Sequence, residues 1–100
     1  MYILIPVDGT DEKHAKVTPV MNLKQWALVD FDEGEVKSTR FYEKHEDFGE
    51  WVDFIILENK FETYIDYMNE GMMVLCVRDE ETIEEITEAF KFKELDEVGL

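Results

Sequence analysis

The sequence predicts a single α/β domain built on a five-stranded mixed sheet, and three features carry that expectation. Short, almost wholly apolar runs at 2–7, 54–57 and 72–77 have the length and composition of strands buried on both faces. Repeats of helical period near 60–70 and 80–95 alternate with the last two runs, and parallel strands require such crossovers. A hairpin signal over 26–42 adds an antiparallel part.

The first strand ends at Asp8-Gly9-Thr10-Asp11. Pro6 has no N–H to give a ladder, so it belongs near the strand's end or at a bulge. Residues 9–22 read as a long loop, and loops of that length are places to look for function. Trp26–Phe31 and Val36–Tyr42 are the second and third strands, joined by Asp32-Glu33-Gly34-Glu35, whose glycine can take positive φ. In residues 43–53, Phe48, Trp51 and Val52 are spaced for one or two helical turns, although a connection across a sheet normally needs a dozen or more residues.

Phe54-Ile55-Ile56-Leu57 is the fourth strand. Asn59 and Glu62 have capping-box spacing, and Phe61, Tyr64, Ile65 and Met68 share one face, predicting an amphipathic helix over 60–70 that ends at Gly71. Met72–Val77 is the fifth strand. Asp79 is the expected N-cap of the last helix, with Glu80, Glu81 and Glu84 at its positive end and Lys91 and Lys93 at its negative end. Ile83, Ile86 and Phe90 form its buried stripe, closed by Leu95.

The 100 residues include 25 acids against 10 bases, a net charge of −15, yet 45% are apolar, so the chain can bury a core and is not disordered. Residues 51–100 carry 14 acids and 4 bases, placing most of the charge on solvent-facing helices. Without clustered Lys and Arg, neither nucleic acid nor an anionic membrane is an expected partner. Cys76 is the single cysteine, which rules out an intramolecular disulfide. The N-terminal apolar run is too short for a signal peptide or a span, so a cytoplasmic location is expected.

Three stretches together resemble the dinitrogenase iron–molybdenum cofactor biosynthesis family, the type seen in NifX and at the C-terminus of NifB. They are Ile3-Leu4-Ile5-Pro6-Val7-Asp8-Gly9, the hairpin Trp26–Val36, and Thr82–Phe90 with Glu94-Leu95. The resemblance spans nearly the whole chain, making residues 1–100 one NifX-like domain. It implies a ribonuclease-H-like three-layer fold with strand order 3-2-1-4-5. It also implies a non-catalytic protein that binds or carries an iron–sulfur or iron–molybdenum cluster precursor. Where such relatives carry a His- or Ser-bearing Phe-Gly element, this chain has Val17-Thr18-Pro19-Val20-Met21-Asn22, and the family's first helix is largely missing around His45-Glu46-Asp47-Phe48-Gly49.

Cluster iron takes thiolate or imidazole ligands, which limits the candidates to Cys76, His14 and His45. Cys76 lies in an apolar strand and reads as a small core residue. His45 is the first candidate and His14 the second, with Met21 and Asn22 lining the loop that replaces the family's motif; a solvated loop residue is the commoner role for each histidine. A charge of −15 also repels an anionic cluster.

Two other readings compete. An acidic interaction module that has lost cofactor binding would use exposed apolar groups against a basic protein partner. A thinly covered sheet face near Tyr42, Phe48 and Trp51 would make it a weak to moderate homodimer. A divalent-metal hydrolase would use Asp8, Glu58 and Asp79, each following a strand at one sheet edge. Turns and caps are the plainer explanation for those three carboxylates. No phosphate-binding glycine loop occurs, and Ser38, the only serine, lies mid-strand rather than in a nucleophile elbow.

Overall fold

The computed structural model describes residues 1–99. Strand β1 (Tyr2–Val7) is central. On one side it pairs antiparallel with β2 (Gln25–Asp32), which pairs antiparallel with β3 (Glu35–Tyr42). On its other side lies β4 (Phe54–Leu57), parallel to β1 and to β5 (Met73–Cys76). A two-residue strand β6 (Asp96–Glu97) runs antiparallel to β5, giving the order β3-β2-β1-β4-β5-β6. The mixed sheet and its first five positions follow the sequence-based expectation, but the count is six rather than five. Two acidic residues carry no apolar run to announce a strand; β6 forms because Leu95 and Val98 on either side of it are buried in the core.

The hairpin turn has Glu33 at φ 53° and Gly34 at φ 77°, the backbone of a type I′ turn. Glutamate in this left-handed conformation is strained, whereas Asn tolerates it. Glu33→Asn is therefore expected to raise stability by about 0.5 kcal/mol, measured as a shifted urea midpoint with unchanged slope.

Strand alternation divides the core in two. Ile3, Ile5, Val7, Val29 and Ile56 face helix α2 (Ile83–Lys91), which contributes Ile83, Ile86 and Ala89. Leu4, Trp26, Leu28, Ile55 and Leu57 face the other layer, built from residues 43–53 and the short helix α1 (Ile65–Asn69). Residues 43–53 do cross the sheet, from β3 at the edge to β4 beyond β1. One 3-10 turn at His45–Asp47 and two buried anchors, Phe48 and Val52, suffice for this. Phe48 packs against Tyr42 with ring centroids 5.0 Å apart, so of the three aromatics expected to reach a second subunit only Trp51 is largely exposed, at 68%.

The first helix is shorter than 60–70 predicts. Asn59 Oδ1 accepts the Phe61 N–H at 2.9 Å, and Glu62 turns its carboxylate to backbone outside any helix, so the capping residues build a turn instead. Phe61 and Ile65, expected on the buried stripe, are 87% and 52% exposed. The helix does end at Gly71 (φ 90°): Met72 N–H bonds Tyr67 O and Gly71 N–H bonds Met68 O, a Schellman closure.

Asp79 is not the N-cap of α2. Thr82 is, in a reciprocal box: Thr82 Oγ1 accepts the Glu85 N–H at 3.2 Å, and Glu85 Oε1 accepts the N–H of Thr82 at 3.0 Å. The Glu81 N–H joins it at 3.2 Å. These backbone donors, Thr82 first, hold the Glu85 carboxyl below its ordinary pKa. A depressed folded pKa contributes stability above the unfolded value that is lost as pH falls through the folded one. Stability should thus decline as pH falls through and below the usual glutamate range, and Glu85→Gln should flatten part of that decline in urea titrations.

Candidate functional site

Ligands of open α/β sheets sit beyond the carboxyl ends of parallel strands. Here those ends release the loops after Val7, Leu57 and Cys76. The first returns on itself: Asp8 N–H bonds Lys16 O at 3.0 Å and Asp8 Oδ1 accepts the Lys16 N–H at 2.9 Å. Thr18 N–H to Pro6 O and Lys24 N–H to Val7 O then bind the rest of the loop to β1. Between those bonds a single 3-10 turn, Val20–Asn22, puts Met21 into solvent at 89% exposure.

Opposite it, the segment after β4 presents Phe61. Glu62 joins the two walls: Oε1 accepts the Val20 N–H at 2.7 Å, and Oε2 accepts the N–H groups of Glu58 and Asn59 at 3.1 Å each. The cleft between them, about 550 Å³, is lined by Pro19, Met21, Asn59, Phe61, Asp66 and Tyr67 among others. Among the described residues its charged lining is Glu62 and Asp66. Burial, then the carboxylates of Glu70, Glu62 and Asp66, push the Tyr67 phenol above its usual pKa, so it stays neutral. An apolar rim with acidic charge suits a cationic group attached to an apolar body.

The sequence-predicted ligands are not gathered here. Met21 lines the cleft and Asn22 is exposed in the same turn. His45 lies elsewhere on that face, with ring centroids 5.6 Å from Trp26 and 6.0 Å from Tyr67. Its Nδ1 is 3.0 Å from Glu46 Oε1 and its Nε2 3.5 Å from Glu70 Oε2, so both ring nitrogens face carboxylates. His14 is 82% exposed, 2.7 Å from Asp11, and precedes Ala15, which packs into the α2-side core. The two histidines therefore serve opposite faces of the sheet. Cys76 is buried, with its thiol pKa raised mainly by burial. Among the described residues no three His, Cys, Asp or Glu side chains converge as a metal site, and His14, His45 and Cys76 do not come together in one place.

The proposed carboxylate triad does not assemble either. Glu58 and Asp79 line one small cleft, but Asp8 is committed to the Lys16 turn. No buried polar side-chain atom lacks a hydrogen-bond partner among the described residues. Phe61 and Glu62 are the site residues that sequence reasoning missed. Phe61 was placed in a helical stripe, and Glu62 has a local spacing signal but nothing that marks Val20, 42 residues away, as its partner.

No family model matches the sequence, and neither does any curated protein. Solved structures do match in fold. The crystal structure of a "putative dinitrogenase" from Methanocaldococcus jannaschii superposes with a TM-score of 0.78 at 20% identity, covering 99% of this chain and 95% of that one. An NMR structure described by the same words gives 0.76 at 20% identity, over 100% and 94% of the two chains. The NMR structure of a "putative NifB protein" from Thermotoga gives 0.67 at 18% identity, over 96% and 91%. The chain thus shares its complete fold with these proteins. No helix of the described residues is long and apolar enough to cross a membrane.

Proposed function

We propose that this chain is a divergent, non-catalytic member of the NifX-like cofactor-biosynthesis family, with its ribonuclease-H-like arrangement, working as an acidic interaction module. The full-length fold likeness supports the family, together with the strand, hairpin and closing-helix stretches of the sequence. The observation that carries the interaction reading is the cleft between Met21 and Phe61. Among the described residues these two are the most exposed of the large apolar side chains; they line one cleft at the carboxyl edge of the sheet whose charged lining residues are acidic, with the Lys60 ammonium 5.5 Å from the Phe61 ring at its margin. The fitting partner is a basic protein segment that buries one or two apolar side chains between them, steered in by the charge of −15.

A peptide of alternating Lys and Leu residues tests this as a probe. Saturable binding is expected, with amide shifts at Met21, Asn59, Phe61 and Tyr67, and the pair Met21→Ala, Phe61→Ala should weaken it about tenfold or more. Binding that the pair leaves unchanged would be nonspecific attraction and would remove the reading.

The fold neighbours favour a second reading, in which the protein carries an iron–sulfur or iron–molybdenum cofactor precursor as cargo. His45, the most enclosed imidazole, is the residue to test, with His14 after it. Anaerobic reconstitution with iron and sulfide should then load metal stoichiometrically, and His45→Ala should abolish loading. Substoichiometric iron, indifferent to His45→Ala and His14→Ala, counts against it. Self-association through the Trp51 side belongs with the interaction reading and is tested by sedimentation of the full chain.

A further inference from the structure

A second cleft, of about 500 Å³, opens at the opposite edge of the sheet, beneath the C-terminal end of α2. Phe31, Phe54 and Phe90 line it, with Phe90 edge-on to Phe31 at 5.2 Å between centroids and to Phe54 at 4.8 Å. Leu75 and Leu95 continue the apolar wall, and Met73, 54% exposed, stands at the opening. That volume and lining are those of a small-molecule site.

The charge at its mouth reverses the character of the chain. The sequence has 25 acids to 10 bases, and four other clefts have acids outnumbering bases, as with Glu62 and Asp66 beside Met21. Here Lys91 and Lys93 face a single carboxylate, Glu97. Neither lysine forms an ion pair among the described residues, and neither do Lys13, Lys24, Lys44 and Lys60, while Lys16, Lys37, Arg40 and Arg78 do. Lys93 also holds φ 59° directly after α2, with its N–H on Phe90 O and the following Glu94 N–H on Ala89 O. That position ordinarily takes glycine, so a lysine there costs backbone strain. Its positive charge at the negative end of α2 offsets part of that strain.

We propose that this cleft binds a free amphiphilic monocarboxylate, its hydrocarbon or aromatic body among the three phenylalanines and its carboxylate between Lys91 and Lys93. An apolar body alone would need no lysines, and a cation would meet them as like charges. The site is independent of the Met21–Phe61 cleft and lies at the other edge of the sheet.

Decanoate, below its micelle-forming concentration, is the probe, with decanol and decyltrimethylammonium as comparisons, followed by amide and methyl shifts of the full chain. Decanoate should saturate with shifts at Phe31, Met73, Phe90 and Lys93. The double variant Lys91→Gln, Lys93→Gln should weaken decanoate about tenfold while leaving decanol unchanged. Both changes lie on the surface, so folding survives them. Met73→Trp, which narrows the opening, should weaken decanoate and decanol alike. Equal affinity for decanoate and decyltrimethylammonium would overturn the proposal. So would shifts confined to the Met21–Phe61 cleft, absence of saturation, or capture by phosphatidylglycerol vesicles that matches free decanoate.

Discussion

Ile86→Ala is expected to destabilise the protein by about 3–4 kcal/mol, enough to lower the melting temperature of a 100-residue domain by roughly 15–25 °C. Ile86 is fully buried and sits at the centre of α2, the only helix on its face of the sheet among the described residues, with Ile3, Ile5, Val29 and Ile56 in the same cluster. Truncation removes the buried methyl groups and leaves a cavity that the sheet beneath cannot collapse to fill. Ile65→Ala supplies the contrast. It has the same chemistry on α1, but at 52% exposure it should cost less than about 0.5 kcal/mol. Urea unfolding of both variants separates the two faces; equal losses would contradict the burial of Ile86 and the exposure of Ile65.

Glu62→Ala should cost about 2–3 kcal/mol, which is large for a side chain that is not fully buried. One carboxylate accepts three backbone N–H groups from two loops, those of Val20, Glu58 and Asn59. Alanine leaves all three without that acceptor and unfastens the Val20–Asn22 turn from the segment after β4. Amide hydrogen exchange at Val20, Glu58 and Asn59 should accelerate well beyond the global change, and the Lys-Leu peptide should lose its site. Glu62→Gln retains one acceptor oxygen and should lose about half as much. A loss below about 0.5 kcal/mol with unchanged exchange would mean that water replaces the carboxylate at no cost.

Much of the fold could be read directly from the residues. The apolar runs at 2–7, 54–57 and 72–77 became β1, β4 and β5, and Asp32–Glu35 became the tight turn between β2 and β3. Ile83 and Ile86 were recognisable as core because α2 is long enough for its period to show, while Leu95 is buried beyond the helix end. Cys76 was legible as a buried residue for the same reason: its neighbours leave no polar face. These features depend on local period and local turn chemistry, which a sequence displays.

The site was less legible, because it depends on which loops the fold brings together. Asn59, Phe61 and Glu62 have the spacing of a helix start, yet the Val20 N–H captures the carboxylate and turns Phe61 out to solvent. His14 and His45 are both loop histidines in sequence, and only tertiary packing places them on opposite faces. Asp8, Glu58 and Asp79 each follow a strand, but a bond from the Lys16 amide, formed by the fold of its own loop, withdraws Asp8 from the others. By itself the sequence determined the strands, the hairpin and the buried stripe of α2, since burial imposes a period that every residue in an element must obey. The tertiary structure alone decided the sixth strand, the length of α1 and the two clefts. Each of these is settled by hydrogen bonds and packing between segments far apart in the chain, and such pairings leave no period to read.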